Sequence, residues 1–476
     1  MTRLATMVLT CCLLLTACTG GDDDAQEGSL PLGASPATKG RATGPALVPR
    51  VLLASTDELE ESIGELDTAQ VERRSGAIVT EKLVVGYSVD NVSGYDIKTG
   101  EQAWSAKIDL GTGTVCYVSR PETRKVKQIT VVFGEGGYCD GVATVRVSDG
   151  KVLKTVDLID IVAPDGRTAG SVNDVITVGT ADYLIAFHGE VYRMRKGTPT
   201  YVESLESDRY FRLIRSPDAP LLVGSRSRSD GKDGCQVDAY ELPSFKPAWS
   251  KPHTELFPDA KEDCVVSLVQ GDSLWAYEET SDRYYMVQLD PKTGDVVGRG
   301  EDEKNSEGPT PKGEFDLSYG ALLGSDTLGL GNGDVVFPQV NGLARYSLAD
   351  DELKWSLDYT KLTMDQADEF DDLWVRPSAV TPDGRHIVAT LSNRAAAEVI
   401  AVDARTGKLA GRWAVPKKYR NGFQVMPGLT LFDDGVVLTR NFERWEFEFA
   451  SFNKGVKEPK GDRFDIGVFT FPEPKG

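Results

Sequence analysis

Short stretches in which apolar and polar residues alternate make up most of the chain from about residue 76 onward. Val145 and Val147, for example, are separated by one residue, as are Val399 and Ala401. A period of two places the apolar side chains on one face of a β-strand. Gly and other turn-forming residues separate these stretches, and the chain is therefore predicted to be all-β.

One longer segment recurs along the chain: a predicted strand, a tight polar turn and a second strand. The clearest copies begin at Gly94 (GYDIKTGEQAW), Met286 (MVQLDPKTGDVVG) and Val399 (VIAVDARTGKLAGRW). Aligning the repeats on this turn gives eight positions, 47 to 57 residues apart, which are Gly100, Gly150, Gly197, Phe245, Gly294, Asp351, Gly407 and Gly455. Most of them are Gly, the residue expected where a hairpin turn needs a positive φ.

A repeat of this length that is filled with short strands is typical of a β-propeller. Each repeat has room for four strands of roughly six residues. We therefore predict an eight-bladed β-propeller with four antiparallel strands per blade over residues 76–472. Seven blades are the alternative, if one of the weaker repeats is misassigned. The stretch 46–53 is a candidate for an additional strand in the closing blade.

Several repeats place a Trp shortly after the turn, at Trp104, Trp249, Trp355 and Trp413. A large aromatic at one phase of a repeat is expected to wedge between adjacent blades. The segment Asp96–Trp104 reads Asp-x-x-Thr-Gly-x-x-x-Trp, which resembles the repeat of the pyrroloquinoline-quinone-like propeller superfamily. Residues 403–407 match its first half, and residues 290–294 match it without the Trp. The resemblance covers about residues 70–470 and implies eight blades.

Quinone enzymes of that superfamily hold their cofactor with a calcium ion, a catalytic Asp and, commonly, a ring of two adjacent bonded cysteines. The adjacent pair here, Cys11 and Cys12, lies in the leader segment described below, and no residue can be matched to the calcium or catalytic positions. Motifs of the G-x-S-x-G, H-E-x-x-H and phosphate-loop types do not occur in the sequence. The sequence therefore predicts no enzyme, no cofactor and no metal site. A small-ligand sensor or quinone-dependent enzyme that uses the central channel is the alternative.

The first eighteen residues have the pattern of an export signal. Arg3 precedes the apolar run Met7–Leu15, which is too short to span a hydrocarbon core of about 30 Å. The sequence Leu-Thr-Ala-Cys at residues 15–18 resembles the bacterial lipobox, which implies that Cys18 is lipidated and becomes the N-terminus. An ordinary secretory signal that contains a Cys is the alternative.

We accordingly expect residues 1–17 to be a signal peptide and residues 18–50 a lipid-anchored flexible tether. Gly, Ser, Pro, Ala and Asp dominate the tether, and such a composition buries too little apolar surface to fold. Residues 51–75 form an N-terminal lead-in, with a helix predicted over 56–73. The expected location is the extracytoplasmic face of a cell membrane.

Charge and cysteine usage agree with export. The net charge of −20 argues against a nucleic-acid partner.

Four cysteines remain after the signal and the lipid site: Cys116, Cys139, Cys235 and Cys264. An even number in an exported chain favours disulfides. Three pairings are open, and we favour Cys116–Cys139 and Cys235–Cys264 because each joins sequence neighbours. A zinc site is the competing interpretation, and it lacks the usual ligand spacing.

Two connections are longer than the repeat requires. Residues 301–328 are acidic and rich in Gly, Pro and Ser, and residues 359–374 combine acidic and apolar residues at roughly helical spacing. The second supplies our candidate partner surface, Asp365, Asp368, Phe370, Asp371 and Trp374. Insertions in propellers leave from one face and often carry recognition; solvated decoration is the alternative.

The predicted function is that of a membrane-anchored lipoprotein whose non-catalytic propeller is a scaffold for another exported protein or an envelope polymer. In architecture it is similar to the propeller lipoprotein of the outer-membrane barrel-assembly machine, which implies only the shape and the scaffold class.

Overall fold

The structure is a computed structural model. It describes residues 45–54, 76–88, 91–109, 113–119, 121, 124–134, 139–161, 166, 170–186, 189–205, 209–215, 220–226, 236–258, 267–269, 274–279, 283–303, 328–330, 334–339, 342–347, 350, 352–358, 374–393, 396–420, 423, 427–432, 434–440 and 464–472. Strand β1 (Val48–Ala54) comes first in the chain, and the strands that follow it are grouped in consecutive sets of four.

The first four sets of strands follow one another without interruption. They are β2 (Gly76–Val79), β3 (Leu83–Ser88), β4 (Asn91–Asp96) and β5 (Gln102–Ser105) in blade 1; β6 (Thr114–Val118), β7 (Gln128–Gly134), β8 (Gly141–Arg146) and β9 (Val152–Asp157) in blade 2; β10 (Val172–Val178), β11 (Ala181–Ala186), β12 (Glu190–Arg195) and β13 (Thr198–Ser204) in blade 3; and β14 (Arg209–Arg215), β15 (Pro220–Arg226), β16 (Gln236–Glu241) and β17 (Lys246–Pro252) in blade 4.

The remaining sets complete the molecule. They are β18 (Ser267–Val269), β19 (Leu274–Glu279), β20 (Arg283–Leu289) and β21 (Val296–Glu303) in blade 5; β22 (Leu328–Leu330), β23 (Asp334–Gln339), β24 (Gly342–Ser347) and β25 (Glu352–Asp358) in blade 6; β26 (Trp374–Val380), β27 (His386–Asn393), β28 (Ala396–Asp403) and β29 (Leu409–Ala414) in blade 7; and β30 (Gly428–Phe432), β31 (Gly435–Thr439) and β32 (Phe464–Thr470) in blade 8. The described helices are α1 (His253–Leu256) and two 3-10 turns, Leu158–Asp160 and Lys417–Tyr419.

The described strands form eight four-stranded antiparallel sheets, arranged as a β-propeller. First strands contact one another between blades 2 and 3, 4 and 5, 6 and 7, and 7 and 8, and the contact between β30 and β2 joins blade 8 to blade 1. The predicted eight-bladed, all-β architecture is confirmed. In blade 2 the strands expected at 115–119, 128–133, 142–148 and 151–158 match β6 to β9 within two residues at each end.

The ring is closed by the N-terminal strand. Strand β1 pairs antiparallel with β32 as the outermost strand of blade 8, with Val48 opposite Thr470 and Ala54 opposite Phe464. The strand predicted at 46–53 is therefore confirmed. The alignment at Gly455 is wrong, because that position falls between the second and third strands of blade 8. This blade takes its fourth strand from the other end of the chain, so it has no turn between its third and fourth strands.

The sheet of blade 7 buries both of its faces against the neighbouring blades. In blade 7, Val388 and Val399 pack with residues of blade 8, whereas Ala389 and Ile400 pack with residues of blade 6. The alternation seen in the sequence therefore sorts side chains between two interfaces that are both apolar. The strand side chains of a blade that lies between two others are therefore used for packing on both sides.

The Trp residues lie between blades, as predicted. The indole N–H groups of Trp104, Trp249 and Trp355 donate to carbonyl oxygens in the next blade, those of Val147 (2.7 Å), Pro291 (2.8 Å) and Ala404 (2.9 Å). Each ring packs on the turn glycine of that next blade, and a Cβ there would lie 2.5 Å, 2.6 Å or 2.7 Å from the ring at Gly150, Gly294 or Gly407, respectively. These glycines have φ between +67° and +71°, so both the turn and the close approach require Gly.

Links between strands fall on two opposite faces of the propeller, because neighbouring strands in every blade are antiparallel. The turn face carries the links from first to second and from third to fourth strands. The connection face carries the links from second to third strands and from each blade to the next. The longest links, 55–75, 304–327, 359–373 and 440–463, all join strand ends at the connection face.

Candidate interaction face

The residues of the predicted partner surface belong to the link between β25 and β26, whose flanking strand ends lie at the connection face. Trp374 is the first residue of β26, where it pairs with Ser392. Asp365, Asp368, Phe370 and Asp371 lie outside the described residues, as do Cys18, the predicted signal peptide and the helix predicted over 56–73. These expectations stay predictions. Of the predicted tether (18–50) and lead-in (51–75), the structure describes residues 45–54, and Val48–Ala54 form strand β1, so the tether does not extend to residue 50.

The disulfide between Cys116 and Cys139 is formed, with Cα atoms 6.1 Å apart, and both residues are buried. It ties the first strand of blade 2 to the link between its second and third strands. The Cys139 N–H donates to Ser171 Oγ (2.8 Å), and the Val172 N–H donates to the Cys139 carbonyl (2.8 Å). The disulfide therefore fixes a point at the connection face where blades 2 and 3 meet. Cys235 and Cys264 lie outside the described residues.

A basic cluster follows blade 7 on the same face. The 3-10 turn Lys417–Tyr419 and Arg420 place three basic residues within four positions, and both lysines are exposed. The Lys418 ammonium lies 5.3 Å from the centroid of the Tyr419 ring, and Arg420 Nε donates to the Val415 carbonyl (3.0 Å). Our sequence prediction missed this cluster; its signal was a short basic run within an acidic chain.

A buried carboxyl group lies between blades 2 and 3 near the turn face. Asp182 accepts hydrogen bonds from the hydroxyls of Thr130 and Thr177, each at 2.8 Å. Burial raises the pKa of Asp182, and hydrogen bonds from the neighbouring hydroxyls oppose the rise. The second residue of the second strand is apolar in the other seven blades, at Val84, Ile129, Leu221, Trp275, Val335, Ile387 and Val436. That departure was the sequence signal for Asp182, and its described hydrogen-bond partners suit a structural role.

Two buried ion pairs lie in blades 6 and 7. Arg412 donates to Glu398 within blade 7, and Arg345 pairs with Asp334 within blade 6. Arg345 Nη1 also donates to the Ala404 carbonyl of blade 7 (2.6 Å), the same oxygen that accepts from Trp355. Arg345 thus also joins blade 6 to blade 7, and in both pairs each charge is compensated by its partner, which suits a structural role.

The described residues hold no group of three or more His, Cys, Asp or Glu side chains that could ligate a metal ion. His253 lies in α1 and His386 begins β27, in different parts of the ring, and His188 is outside the described residues. In the part of the chain that the structure describes, no helix has the length and apolar character to cross a membrane.

Comparison with known proteins gives the fold. No protein-family model matches the chain, and no curated protein sequence matches it. Among solved structures, the Dos1 propeller superposes with a TM-score of 0.51 at 7% identity, covering 89% of this chain and 95% of that one. The chain is also similar to BamB from Moraxella catarrhalis (TM-score 0.45, 13% identity, 86% and 95% covered). A third similar structure is the quinohemoprotein alcohol dehydrogenase from Comamonas testosteroni (TM-score 0.47, 10% identity, 85% and 75% covered). At these identities the likeness establishes a β-propeller and leaves its function open.

Proposed function

We propose that the protein is an extracytoplasmic lipoprotein whose propeller is a non-catalytic scaffold, and that the connection face binds a cationic segment of another exported protein. Cys18 carries the lipid, residues 19–44 form the flexible tether, and the propeller presents the binding surface. The candidate residues Asp365, Asp368, Phe370, Asp371 and Trp374 belong to that surface.

The charge of the links at the connection face carries this proposal. The four links 55–75, 253–266, 304–327 and 359–373 contain 20 acidic and 6 basic residues. Their net charge is thus −14, against −20 for the whole chain. The topology brings the ends of all four to one face, although they are far apart in sequence. The long link 440–463 is nearly balanced, with five acidic and six basic residues, and the link that contains Lys417 is basic. The face therefore combines a negative majority with one basic cluster.

An acidic face favours a basic partner through two effects. Complementary charge speeds association and discriminates against acidic proteins. It also makes binding sensitive to salt, because the screening length falls to about 8 Å at physiological ionic strength. Neighbouring apolar residues in the link 359–373, such as Leu362 and Phe370, supply contact area of the kind that dominates interface energies.

The experiment that tests the scaffold role is crosslinking and affinity capture of the lipidated protein from its own membrane, beside the Cys18→Ala form. We expect one or two exported proteins to be captured reproducibly with the intact anchor and lost without it. Capture that is equal for both forms would contradict the need for the anchor. Failure to capture any exported protein with either form would contradict the scaffold role.

The choice of face is tested with matched charge variants. Asp365→Asn, Asp368→Asn and Asp371→Asn together remove three charges from the connection face. The control removes three exposed charges from the turn face: Glu81→Gln, Glu101→Gln and Glu241→Gln. At roughly 0.5 kcal/mol for each pair, the first variant should bind the captured partner about tenfold more weakly, and the control should bind unchanged. Equal binding of the two variants would refute the assignment of the face.

The non-catalytic role has its own test. Purified protein is incubated with pyrroloquinoline quinone and calcium, and the absorbance spectrum and melting temperature are measured. We expect neither a bound chromophore nor a change in melting. A bound chromophore with turnover of an alcohol or sugar would replace the scaffold by the quinone-dependent enzyme.

A further inference from the structure

The route by which the chain enters the ring determines where the tether is attached. Strand β1 is the outer strand of blade 8, and it runs antiparallel to β32. Val48 at its start lies beside Thr470, the last residue of β32, and Ala54 at its end lies beside Phe464. A third strand ends at the turn face, so β1 begins at the turn face and ends at the connection face.

Residues 45–47 occupy the position of the turn that blade 8 lacks. In blades 1, 4 and 6 the Trp of the fourth strand packs on the turn between the third and fourth strands of the next blade. Trp413, the corresponding residue of blade 7, instead packs with Leu47 and lies 4.5 Å from the Phe471 ring, centroid to centroid. The backbone is fixed as well, since the Leu47 N–H donates to the Ala414 carbonyl (2.8 Å) and the Ala414 N–H donates to the Pro45 carbonyl (3.2 Å).

Arg50 adds two contacts to groups of the turn face. One guanidinium nitrogen donates to the carbonyl of Ile97, in the turn between the third and fourth strands of blade 1 (2.8 Å). The other donates to the carboxylate of Asp434, in the turn between the first and second strands of blade 8 (2.8 Å). The chain is therefore held from Val48 onward at the turn face of blade 8, and residues 45–47 enter it along the outer strand of blade 7, beside Ala414.

From this attachment we infer that the turn face lies nearest the membrane and that the connection face points away from it, where an exported partner can reach it. This inference rests on the anchor of the proposed function. A flexible tether of residues 19–44 has a root-mean-square length of about 28 Å, which keeps its point of attachment close to the bilayer.

The charges of the two faces favour the same orientation. The seven links between third and fourth strands contain six acidic and six basic residues, so these turns are neutral as a set. Anionic lipid headgroups repel the acidic links of the connection face within a Debye length, and they do not repel the neutral turns in this way. The lipid surface thus orients the propeller in the same sense as the tether does.

The test compares two labelled positions in the same sector of the ring. Lys98→Cys lies in the turn between the third and fourth strands of blade 1, and Lys107→Cys lies in the connection-face link directly after that blade; both lysines are exposed. Each lipidated full-length variant is labelled with a fluorophore and reconstituted into vesicles of phosphatidylcholine and phosphatidylglycerol that contain a headgroup-attached nitroxide quencher. We expect a larger loss of fluorescence at position 98 than at position 107. Equal loss, or a larger loss at position 107, would overturn the orientation while leaving the anchor intact.

Failure of the anchor gives a different result. Vesicle flotation of the same samples reports whether the protein is bound, and the Cys18→Ala forms give the unbound signal. If the lipidated chains do not float with the vesicles and neither label is quenched, the anchor is refuted and the orientation with it.

Discussion

Two glycines of blade 7 make it possible to measure the stabilising effect of the Trp355–Gly407 contact separately from the cost of a positive φ. Gly407 and Gly384 have the same φ of +69°. A Cβ at Gly407 would lie 2.7 Å from the Trp355 ring, whereas a Cβ at Gly384 would have no heavy atom within 4 Å. The substitutions Gly407→Ala and Gly384→Ala therefore share the same backbone cost and differ in the clash with the ring.

The magnitudes follow from these terms. Left-handed backbone costs Ala about 1–2 kcal/mol, and a less flexible unfolded chain returns about 0.4–1 kcal/mol. Gly384→Ala should thus reduce the free energy of unfolding by about 0–1.5 kcal/mol. Overpacking adds about 1–3 kcal/mol at Gly407, since Trp355 is only 8% exposed and is held by its hydrogen bond to the Ala404 carbonyl. We expect Gly407→Ala to cost about 1–4.5 kcal/mol, which is about 1–3 kcal/mol more than Gly384→Ala.

The assay is urea unfolding of the purified protein, followed by circular dichroism so that the Trp content does not affect the signal. Trp355→Ala provides the second background, in which Gly407→Ala should cost no more than Gly384→Ala does in the parent. If the two glycine variants agree within about 0.5 kcal/mol in the parent, the packing of Trp355 on Gly407 does not stabilise the ring.

Three further predictions test the closure, the buried carboxyl group and the disulfide. Leu47→Ala should lower the free energy of unfolding by about 2–5 kcal/mol because Leu47 is buried, whereas Val48→Ala next to it, 48% exposed, should cost under about 0.5 kcal/mol; equal effects in urea unfolding would contradict the role of Leu47 in closure. The raised pKa of Asp182 means that the folded state holds its proton longer than the unfolded chain, so this group lowers stability as pH rises from about 4 through the folded pKa. Asp182→Asn should therefore gain stability relative to the parent as pH increases, and melting curves with a constant difference between pH 4 and 7 would contradict this. Replacing Cys116 and Cys139 by Ser opens a loop with a sequence separation of 23 and should cost about 3 kcal/mol, and hydrogen exchange at residues 171–172 should become faster while that in blade 7 does not. Unchanged exchange there would show that the disulfide does not hold blade 3.

The repeat could be predicted because its turns are determined by neighbouring residues. The Asp96 carboxylate accepts hydrogen bonds from the backbone N–H groups of Lys98 and Thr99, each at 2.8 Å. Bonds from Thr99 and then from Lys98 lower the pKa of Asp96. The same local arrangement recurs at Asp403, where bonds from Thr406 contribute most to a lowered pKa. Side chains that bond within three residues leave a sequence signature, and Gly100 and Gly407 complete it with a positive φ.

Features that depend on distant partners could not be predicted in the same way. Asp182 and Thr130 are 52 residues apart and belong to different blades, and only the packed ring brings them together. The pairing of β1 with β32 joins opposite ends of the propeller. The stretch 46–53 was a candidate strand of the closing blade, but the strand with which it pairs was not predicted, because period two describes a strand without specifying what it pairs with. The misplaced position at Gly455 has the same origin.

The candidate surface is less predictable still, because the repeated sequence pattern of a propeller reflects packing between blades and the binding residues lie outside it. Strand side chains such as Val388 and Ala389 are committed to the two neighbouring blades, so the repeated pattern records packing and little else. Recognition must therefore come from the links, which follow no period and carry most of the net charge. A change in the partner of this protein would alter the link 359–373 and leave the turn at Gly407 as it is. For that reason the charge variants of the connection face test the function without disturbing the ring, whereas Gly407→Ala tests the ring without touching the surface.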